Sequence, residues 1–517
     1  MVRLPRRQLI SALAFSAAAG SVTLRPSDPF ISAKVSRLVP DPFTLGVASG
    51  DPWPSGVVLW TRLAPEPGEP NGLAGMARRS FPVEWQVSED AGFRTIARAG
   101  RVFTDPNWAH AVHVEVDGLR AGATYFYRFR VEGHLSPVGR TRTAPDLLSK
   151  AEGSRFALAS CANYEEGWFT AYRRLAEDDP DLVLHLGDYI YESPELGQPG
   201  ARRVRGHEGF EAITLADYRR RHAQYKTDPD LQHAHAVAPW AVVFDDHEVD
   251  GNWAGFHPET PQPGFAGRRA TAFRAYYEHM PLRRRSLPRG PFMRIYRRLG
   301  WGALATVHLL DTRQYRDDQV CGDTRAVGCH ARLAPGRTLL GAEQERWLDR
   351  GLRASRTRWD LLAQQVCMAP RDTSSGPFGA YALDGWDGYA SARRRLFESI
   401  VSSGVRNPVV VTGDVHRHYA NDLALDGRTI AAELITTSVS SGGDGSRTTA
   451  RIDVELAQNP GLHWADCRRG YVALTLDANQ LRADFRTLPY VTRPGAPATT
   501  AASFALQDRR RGLARIA

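Results

Sequence analysis

The strongest constraint on this chain is an arrangement repeated through its middle and late parts: short, wholly apolar runs that each end in residues able to hold a cation. Phe156-Ala157-Leu158-Ala159 gives way to Ser160-Cys161-Ala162-Asn163, and Leu182-Val183-Leu184-His185-Leu186 to Gly187-Asp188-Tyr189-Ile190-Tyr191-Glu192. Ala241-Val242-Val243-Phe244 runs into Asp245-Asp246-His247-Glu248 and then Gly251-Asn252; Val409-Val410-Val411 runs into Thr412-Gly413-Asp414-Val415-His416. Runs of this length without alternation are strands covered on both faces. Between them apolar residues recur at helical spacing, as in Trp168, Ala171, Tyr172 and Leu175, and again in Trp347, Leu348 and Leu352. Strand and helix in alternation predict an α/β domain over residues 152–500. In such sheets ligands bind at the carboxyl ends of the strands, so four strand ends deliver Cys, Asp, Tyr, His and Asn to one rim. Several carboxylates buried together are prohibitive unless positive charge lies between them, and more than one metal ion is the simplest resolution. A single Gly-Asp would be an ordinary helix N-cap; its recurrence at separate strand ends carries the argument.

The region before that domain has a different texture. Over residues 40–145, Val83-Glu84-Trp85-Gln86-Val87, Val112-His113-Val114-Glu115-Val116 and Tyr125-Phe126-Tyr127-Arg128-Phe129 alternate with period two between Gly and Pro turns. They predict a small antiparallel sandwich, with Leu119 to Tyr125 resembling the turn into a late strand of a fibronectin-type module. Residues 1–33 carry Arg6-Arg7-Gln8-Leu9-Ile10, a short apolar run and Ala17-Ala18-Ala19. These read as a signal peptide, with the arginine pair favouring the twin-arginine route over an ordinary secretory signal. The expectation is an exported protein, periplasmic, cell-wall associated or extracellular, delivered by the twin-arginine machinery and without a membrane span once the signal is gone.

Cys321 and Cys329 flank a short Gly-containing loop suited to a local disulfide, and Cys367 and Cys467 are the other candidates for a pair. His233-Ala234-His235 reads as surface, and Asp217, Arg219 to Arg221 and His222 as a charged helical face. Residues 501–517 read as a solvated tail or helix.

The 517 residues carry 66 Lys+Arg against 57 Asp+Glu, a net charge of +9. Lysine occurs only at Lys34, Lys150 and Lys226, so the positive charge is almost entirely guanidinium. Such forks suit phosphate and carboxylate, but no basic cluster interleaved with aromatics stands out, and no specific nucleic-acid binding is predicted.

Taken in order, Gly187-Asp188, Asp246-His247-Glu248 and Gly413-Asp414-Val415-His416 resemble the GD, GNHE and GHxH layout of calcineurin-like metallophosphoesterases. The opening Asp-x-His of that layout is replaced by Ser160-Cys161, the Asn by Asp246 and the first His by Asp414. These departures are similar to one branch, the PhoD-like alkaline phosphatases and phosphodiesterases. So are Leu45 to Pro52, Trp60-Thr61-Arg62, His185 to Glu192, Leu310 to Arg316, Thr437 to Gly443 and Arg469-Gly470-Tyr471-Val472. The resemblance implies a fibronectin- or Ig-like β-sandwich followed by a calcineurin-like αββα metallophosphatase domain, holding Fe(III) and Ca(II). By position, Cys161, Asp188, Tyr191 and Asp414 would surround the iron, and Asp188 would bridge to calcium with Asp246, Asn252 and His416. Asp245 stands as an alternative to Asp246, and Asn163 to Asn252. Thiolate and phenolate suit Fe(III), and carboxylate and amide oxygens suit Ca(II).

The reaction so implied is hydrolysis of a phosphate ester by direct attack of metal-activated hydroxide. Asp188 anchors the cations, and His247 either protonates the leaving oxygen or orients a neighbour. Arg313 or Arg316 is expected to clamp phosphoryl oxygens, with a structural ion pair as the alternative. The substrate class spans small-molecule monoesters and diesters, phospholipids cut in the manner of phospholipase D, and cell-wall polymers such as teichoic acid. A secreted polymer-binding protein without catalysis is the reading from another class.

Overall fold

The computed structural model describes residues 40–149, 153–194 and 203–517; the expected signal at 1–33 lies outside them. A ten-stranded and a seven-stranded mixed sheet form the main body. At the centre of the first, Ser154–Ala159, Leu182–Leu186 and Pro239–Val243 run parallel. At the centre of the second, Ala305–Leu309, Trp359–Ala363, Pro408–Thr412 and Arg428–Ile435 do the same. One apolar cluster takes Phe156, Leu158 and Leu184 from the first sheet together with Val307, Leu361, Val409 and Leu434 from the second, so the sheets share a core. Leu362 and Val410, on the opposite face of the second sheet, pack with Leu348 and Leu352 of helix Gly341–Ala354 and Phe397 of helix Ala390–Ser403. Every residue of Leu182–Leu186, Pro239–Val243 and Pro408–Thr412 is buried, as the uninterrupted apolar runs require.

The N-terminal region is less separate than its alternating strands suggest. Val47–Trp53 pairs in parallel with Pro239–Val243, Ser49 opposite Pro239, and Gly56–Arg62 and Ala111–Val116 extend the ten-stranded sheet from there. The strands Pro82–Ser88, Ile96–Phe103 and Thr124–Val131, with two short partners, form a second layer. Val57, Leu59, Val112 and Val114 pack against Val83, Val87, Tyr127 and Phe129 between the layers. One layer of the sandwich is therefore the edge of the large sheet. The turn before its late strand is closed by the Arg120 N–H, which donates to the Tyr125 hydroxyl at 2.9 Å.

Several expectations need correction. The segment after residue 500 is a strand rather than a tail: Thr499–Gln507 pairs along Gln480–Thr487, and Ala514–Arg515 adds beyond it. His233 is exposed, but His235 is buried, stacked on Trp240 with centroids 3.9 Å apart and 2.8 Å from the Tyr189 hydroxyl. The helix Leu215–Lys226 buries Arg219, Arg221 and His222. Arg219 pairs with Glu278 at 2.6 Å, and Arg221 donates to the backbone oxygens of Tyr191 and Glu192, bracing the loop that carries Tyr191. Cys321 and Cys329 form the expected disulfide, whereas Cys367 and Cys467 are free and buried.

Candidate metal centre

The backbone at the strand ends is bent in a way side chains resist. Cys161, Asp188, Asn252, Asp414 and His416 all have left-handed φ values, 58°, 53°, 46°, 63° and 55°. Each costs on the order of 1 kcal/mol or more for an L-residue, so five in one rim mark a site held in place by its surroundings. Gly187 is required before Asp188: its φ is 108°, and a Cβ there would meet that of Asp245 at 2.4 Å. Hydrogen bonds then tie the ends together. The Cys161 N–H donates to Gly187 O at 3.1 Å and the Ala162 N–H to Asp188 O at 2.9 Å. The buried Glu248 carboxylate accepts the backbone N–H groups of Asp188 (3.1 Å), Tyr189 and Asp245 (2.7 Å).

Three groups of donors result, each with its ligand atoms within 4.8 Å of one another: Cys161, Asp188 and His416; Asp188, Asp246 and His247; Asp245, Asp246 and Asp414. The Tyr191 hydroxyl joins the first, 3.2 Å from Asp188 Oδ2 and 3.0 Å from His416 Nε2. Asn252 adjoins the others through its backbone N–H, which donates to Asp246 Oδ2 at 2.8 Å. Asp188 is shared by the first two groups and Asp246 by the last two, so the two carboxylates link the sulfur-bearing group to the all-carboxylate one. The division differs from that implied by the resemblance: His416 gathers with Cys161 and Tyr191, and Asp414 with Asp245 and Asp246. Asn163 does not compete with Asn252, because its Oδ1 accepts the Glu165 N–H at 3.0 Å and closes a turn.

The electrostatics are those of a site lacking positive charge. Burial, then the Asp188 charge, push both the Cys161 thiol and the Tyr191 phenol well up. Burial, then Asp246, push up Asp188, and burial with Asp384 takes Asp414 to about 7. Asp246 alone is held low, by Arg313 and His247 against the pull of burial. Asp188 Oδ1 and Asp245 Oδ2 are buried without a hydrogen-bond partner among the described residues. Unpaired carboxylate oxygens beside a thiol, a phenol and an imidazole fit cations, which would pay for the ionised donors.

His247 presents an imidazole that is fixed on one side and faces Asp246 Oδ2 at 4.0 Å from Nε2 on the other. Its Nδ1 lies 2.8 Å from Glu192 Oε2, its ring stacks on Tyr191 at 4.1 Å, and its side chain is 28% exposed. Arg313 is already engaged by carboxylates. Its side chain is fully buried, with Nε 2.6 Å from Asp245, Nη2 3.3 Å from Asp246, and Nη1 and Nη2 2.8 and 2.9 Å from Asp384. Arg316 is likewise committed to Asp384 and the Tyr389 hydroxyl. The structural ion pair is what the guanidinium donors make.

Four contributors carried no role in the sequence reading. Glu192 and Glu248 stand inside quoted motifs, with nothing there to show that one holds an imidazole and the other three N–H groups. Ser441, whose hydroxyl is 2.7 Å from that of Tyr191, follows a strand and lacks a charged signature. Asp384 lies outside any periodic segment, and its pairing with Arg313 and Arg316 is visible only in three dimensions.

Comparison with known proteins places the chain in a family. The family model described as PhoD-like phosphatase matches residues 156–485, and that described as PhoD-like phosphatase, N-terminal domain, matches residues 31–145. Alkaline phosphatase D of Bacillus subtilis (strain 168) is 47% identical over 483 residues, covering 92% of this chain and 82% of that protein. A solved structure described as "Structure of PhoD" superposes with a TM-score of 0.89 at 46% identity, covering 92% of each chain.

Proposed function

This chain belongs to the PhoD-like phosphatase family and is a metal-dependent phosphatase, and from that premise we propose how its residues divide the work. Cys161, Tyr191, His416 and Asp188 would hold Fe(III), and Asp246, Asn252 and Asp188 would hold Ca(II), with Asp245 and Asp414 alongside. The observation that carries this division is the pair of buried donor groups sharing Asp188, whose Oδ1 has no protein partner. Thiol, phenol and imidazole suit a transition metal, and the carboxylates of Asp246, Asp245 and Asp414 suit calcium, with His247 left for the proton. When bound, such cations acidify water and offset negative charge on the phosphoryl oxygens.

The chain's own groups do the rest. Glu192 fixes His247 through Nδ1, leaving Nε2 as the atom that gives a proton to the leaving oxygen. Arg313 holds Asp245 and Asp246 in place while Asp384 balances its charge. The Ser441 hydroxyl keeps the Tyr191 oxygen turned towards Asp188 and His416.

The fold is read as a calcineurin-like αββα sandwich, supported by two sheets that share one apolar cluster. Residues 40–145 and 152–500 are proposed as its two domains, the sandwich lending its edge to the larger sheet. Export by the twin-arginine route rests on Arg6-Arg7; replacing both with Lys should leave the protein inside the cell, and continued export would remove the proposal.

The decisive experiment measures metal content of native protein alongside turnover of a nitrophenyl phosphate monoester and a diester, before and after chelation. Iron and calcium should be found, with a visible charge-transfer band that Tyr191→Phe weakens and Cys161→Ser shifts. Colourless protein containing zinc alone would overturn the iron assignment. The ratio of the two ester activities assigns the enzyme to monoesters or diesters.

A further inference from the structure

The disulfide Cys321–Cys329 closes a short ring beside the metal centre, the two cysteines standing 8 residues apart. Each side of the ring is fastened to a group on which the site depends. Just before Cys321, the Gln319 amide donates to Asn252 O at 2.5 Å and to Asp384 Oδ1 at 2.9 Å. Just before Cys329, Arg325–Val327 pairs antiparallel with Ala380–Ala382, Arg325 opposite Ala382, and that partner segment leads directly into Asp384. Arg325 Nη2 adds a bond to Thr373 O at 2.8 Å. Asp384 is thus held from both sides of the ring, and it is the carboxylate that balances Arg313 and Arg316.

No core holds the ring closed. Of residues 321–330 only Cys329 is buried, so the segment has little apolar packing and would open at small cost without the covalent link. Its backbone is also bent against preference: Cys321, Gly322 and Asp323 have consecutive left-handed φ values of 55°, 76° and 51°, costly at the two L-residues. The bend turns Asp323 back towards the rim. Its Oδ1 is buried without a hydrogen-bond partner among the described residues, and burial, then the Asp384 charge, push its carboxyl up to about 7.

We propose that the Cys321–Cys329 bond is a redox-sensitive latch on the oxygen-rich side of the metal centre. Closed, it positions Gln319 and Asp384, and through them the Asn252 backbone and the Arg313 guanidinium that steadies Asp245 and Asp246. Opened, it releases both and loosens the hold on calcium. Gln319 is the positioning residue, because its one amide touches the Asn252 carbonyl and the Asp384 carboxylate together. Cys321 is exposed, so a dithiol can reach it. A thiolate attacks the sulfur, the S–S bond breaks, and the second thiol resolves the mixed disulfide. Two electrons and two protons pass to the cysteines, and the dithiol leaves as its own disulfide. Cys161, Cys367 and Cys467 are free and buried and take no part. The effect on calcium rests on the metal reading above; the hold on Asn252 and Asp384 does not.

Two measurements test the latch. In the first, iron-loaded protein stripped of calcium is titrated with calcium by calorimetry. Cys321→Ser/Cys329→Ser and Gln319→Ala should each weaken calcium binding roughly 10-fold, the lower end for a lost group that orients ligands. The triple variant should be no worse than the weaker-binding of the two, since both act through one contact. The iron charge-transfer band should stay unchanged throughout. Unaltered calcium affinity with a lower melting temperature would overturn the latch and leave the disulfide a brace for the fold.

The second follows hydrogen exchange in the full chain after chelation, with and without dithiothreitol. Reduction should speed exchange in peptides covering residues 251–253 and 383–385 and leave the strand Pro408–Thr412 unchanged. The Cys321→Ser/Cys329→Ser protein should show the fast exchange with or without the reductant. Exchange that reduction leaves unmoved at residues 251–253 would also overturn the proposal. A parent protein that binds no calcium would refute the metal reading, and the exchange measurement would still decide on the latch.

Discussion

Two sets of buried carboxylates sit within the same two-sheet body, and they are treated in opposite ways. Glu433 accepts the Met368 N–H and the Thr412 hydroxyl on one oxygen and the Ala369 N–H on the other, each at 2.8 Å. Asp311 accepts the N–H groups of Arg313 and Gln314 at 3.0 and 2.9 Å and the Gln314 amide at 2.5 Å. Both oxygens are satisfied by the chain, so these acids serve the fold. At the rim, Asp188 Oδ1 and Asp245 Oδ2 are equally buried and have nothing. Asp51 Oδ2 is also buried without a partner, but there the Arg297 guanidinium lies against the other oxygen. At the rim the unpaired oxygens cluster with further acids, a thiol and an imidazole, and such crowding is costly without a compensating ligand. The contrast separates acids that build the fold from acids that await a cation, which sequence alone cannot do.

The largest effect should come from breaking that contrast at its shared member. Asp188→Asn should reduce turnover roughly a thousandfold or more, by removing the carboxylate common to both donor groups. The metal-free variant should melt no lower than the metal-free parent, since one of several crowded acids has been neutralised. Retained activity, or a large fall in the melting temperature without metal, would place Asp188 with Glu433. The converse substitution, Glu433→Ala, should cost about 3 kcal/mol of stability by leaving buried N–H groups unpaired, with turnover per folded molecule preserved. Denaturant unfolding alongside an active-site titration checks both halves.

How much of this was legible follows from the range of the interactions. Cys161, Asp188, Asp246, Asp414 and His416 could be named because a strand and the turn after it are local, and parallel strands deliver their ends to one side. Their division into groups was not legible: it depends on where left-handed turns aim Asp414 and His416, and a φ value leaves no periodic trace. The merger of the sandwich with the large sheet rests on Ser49 meeting Pro239, a pairing of distant segments. The final strand Thr499–Gln507 was obscured by small residues and by the charged Asp508-Arg509-Arg510-Arg511 that follows it. Arg313 follows a strand as the motif does, but its pairing turns on Asp384, which reaches it from an irregular loop.

That role yields the next effect in size. Arg313→Gln removes the counter-charge from Asp245, Asp246 and Asp384 together, leaving their geometry unsupported. Metal affinity should fall about 10- to 100-fold, the usual cost of losing a group that orients ligands, and added calcium should restore part of the activity. A clamp on substrate would instead raise KM with metal content unchanged.

The smallest effect is a displacement along the pH axis. Burial works against a charged His247, but Glu192, then Asp246 and Asp188, raise its pKa well above the ordinary value. A residue that donates a proton acts in its acid form, so turnover is present below that pKa and lost as pH rises through it. Glu192→Gln removes the strongest raising charge while keeping a hydrogen-bond acceptor for Nδ1. The alkaline limb of the pH–kcat profile should therefore move to lower pH, with a loss of roughly 10-fold at alkaline pH and much less under acid conditions. An unmoved limb with a uniform loss would show that Glu192 merely supports the loop through its 3.1 Å bond from the Gly251 N–H. The proton for the leaving oxygen would then have to come from another group, because an imidazole whose acid form mattered would register the loss of the carboxylate 2.8 Å from its Nδ1.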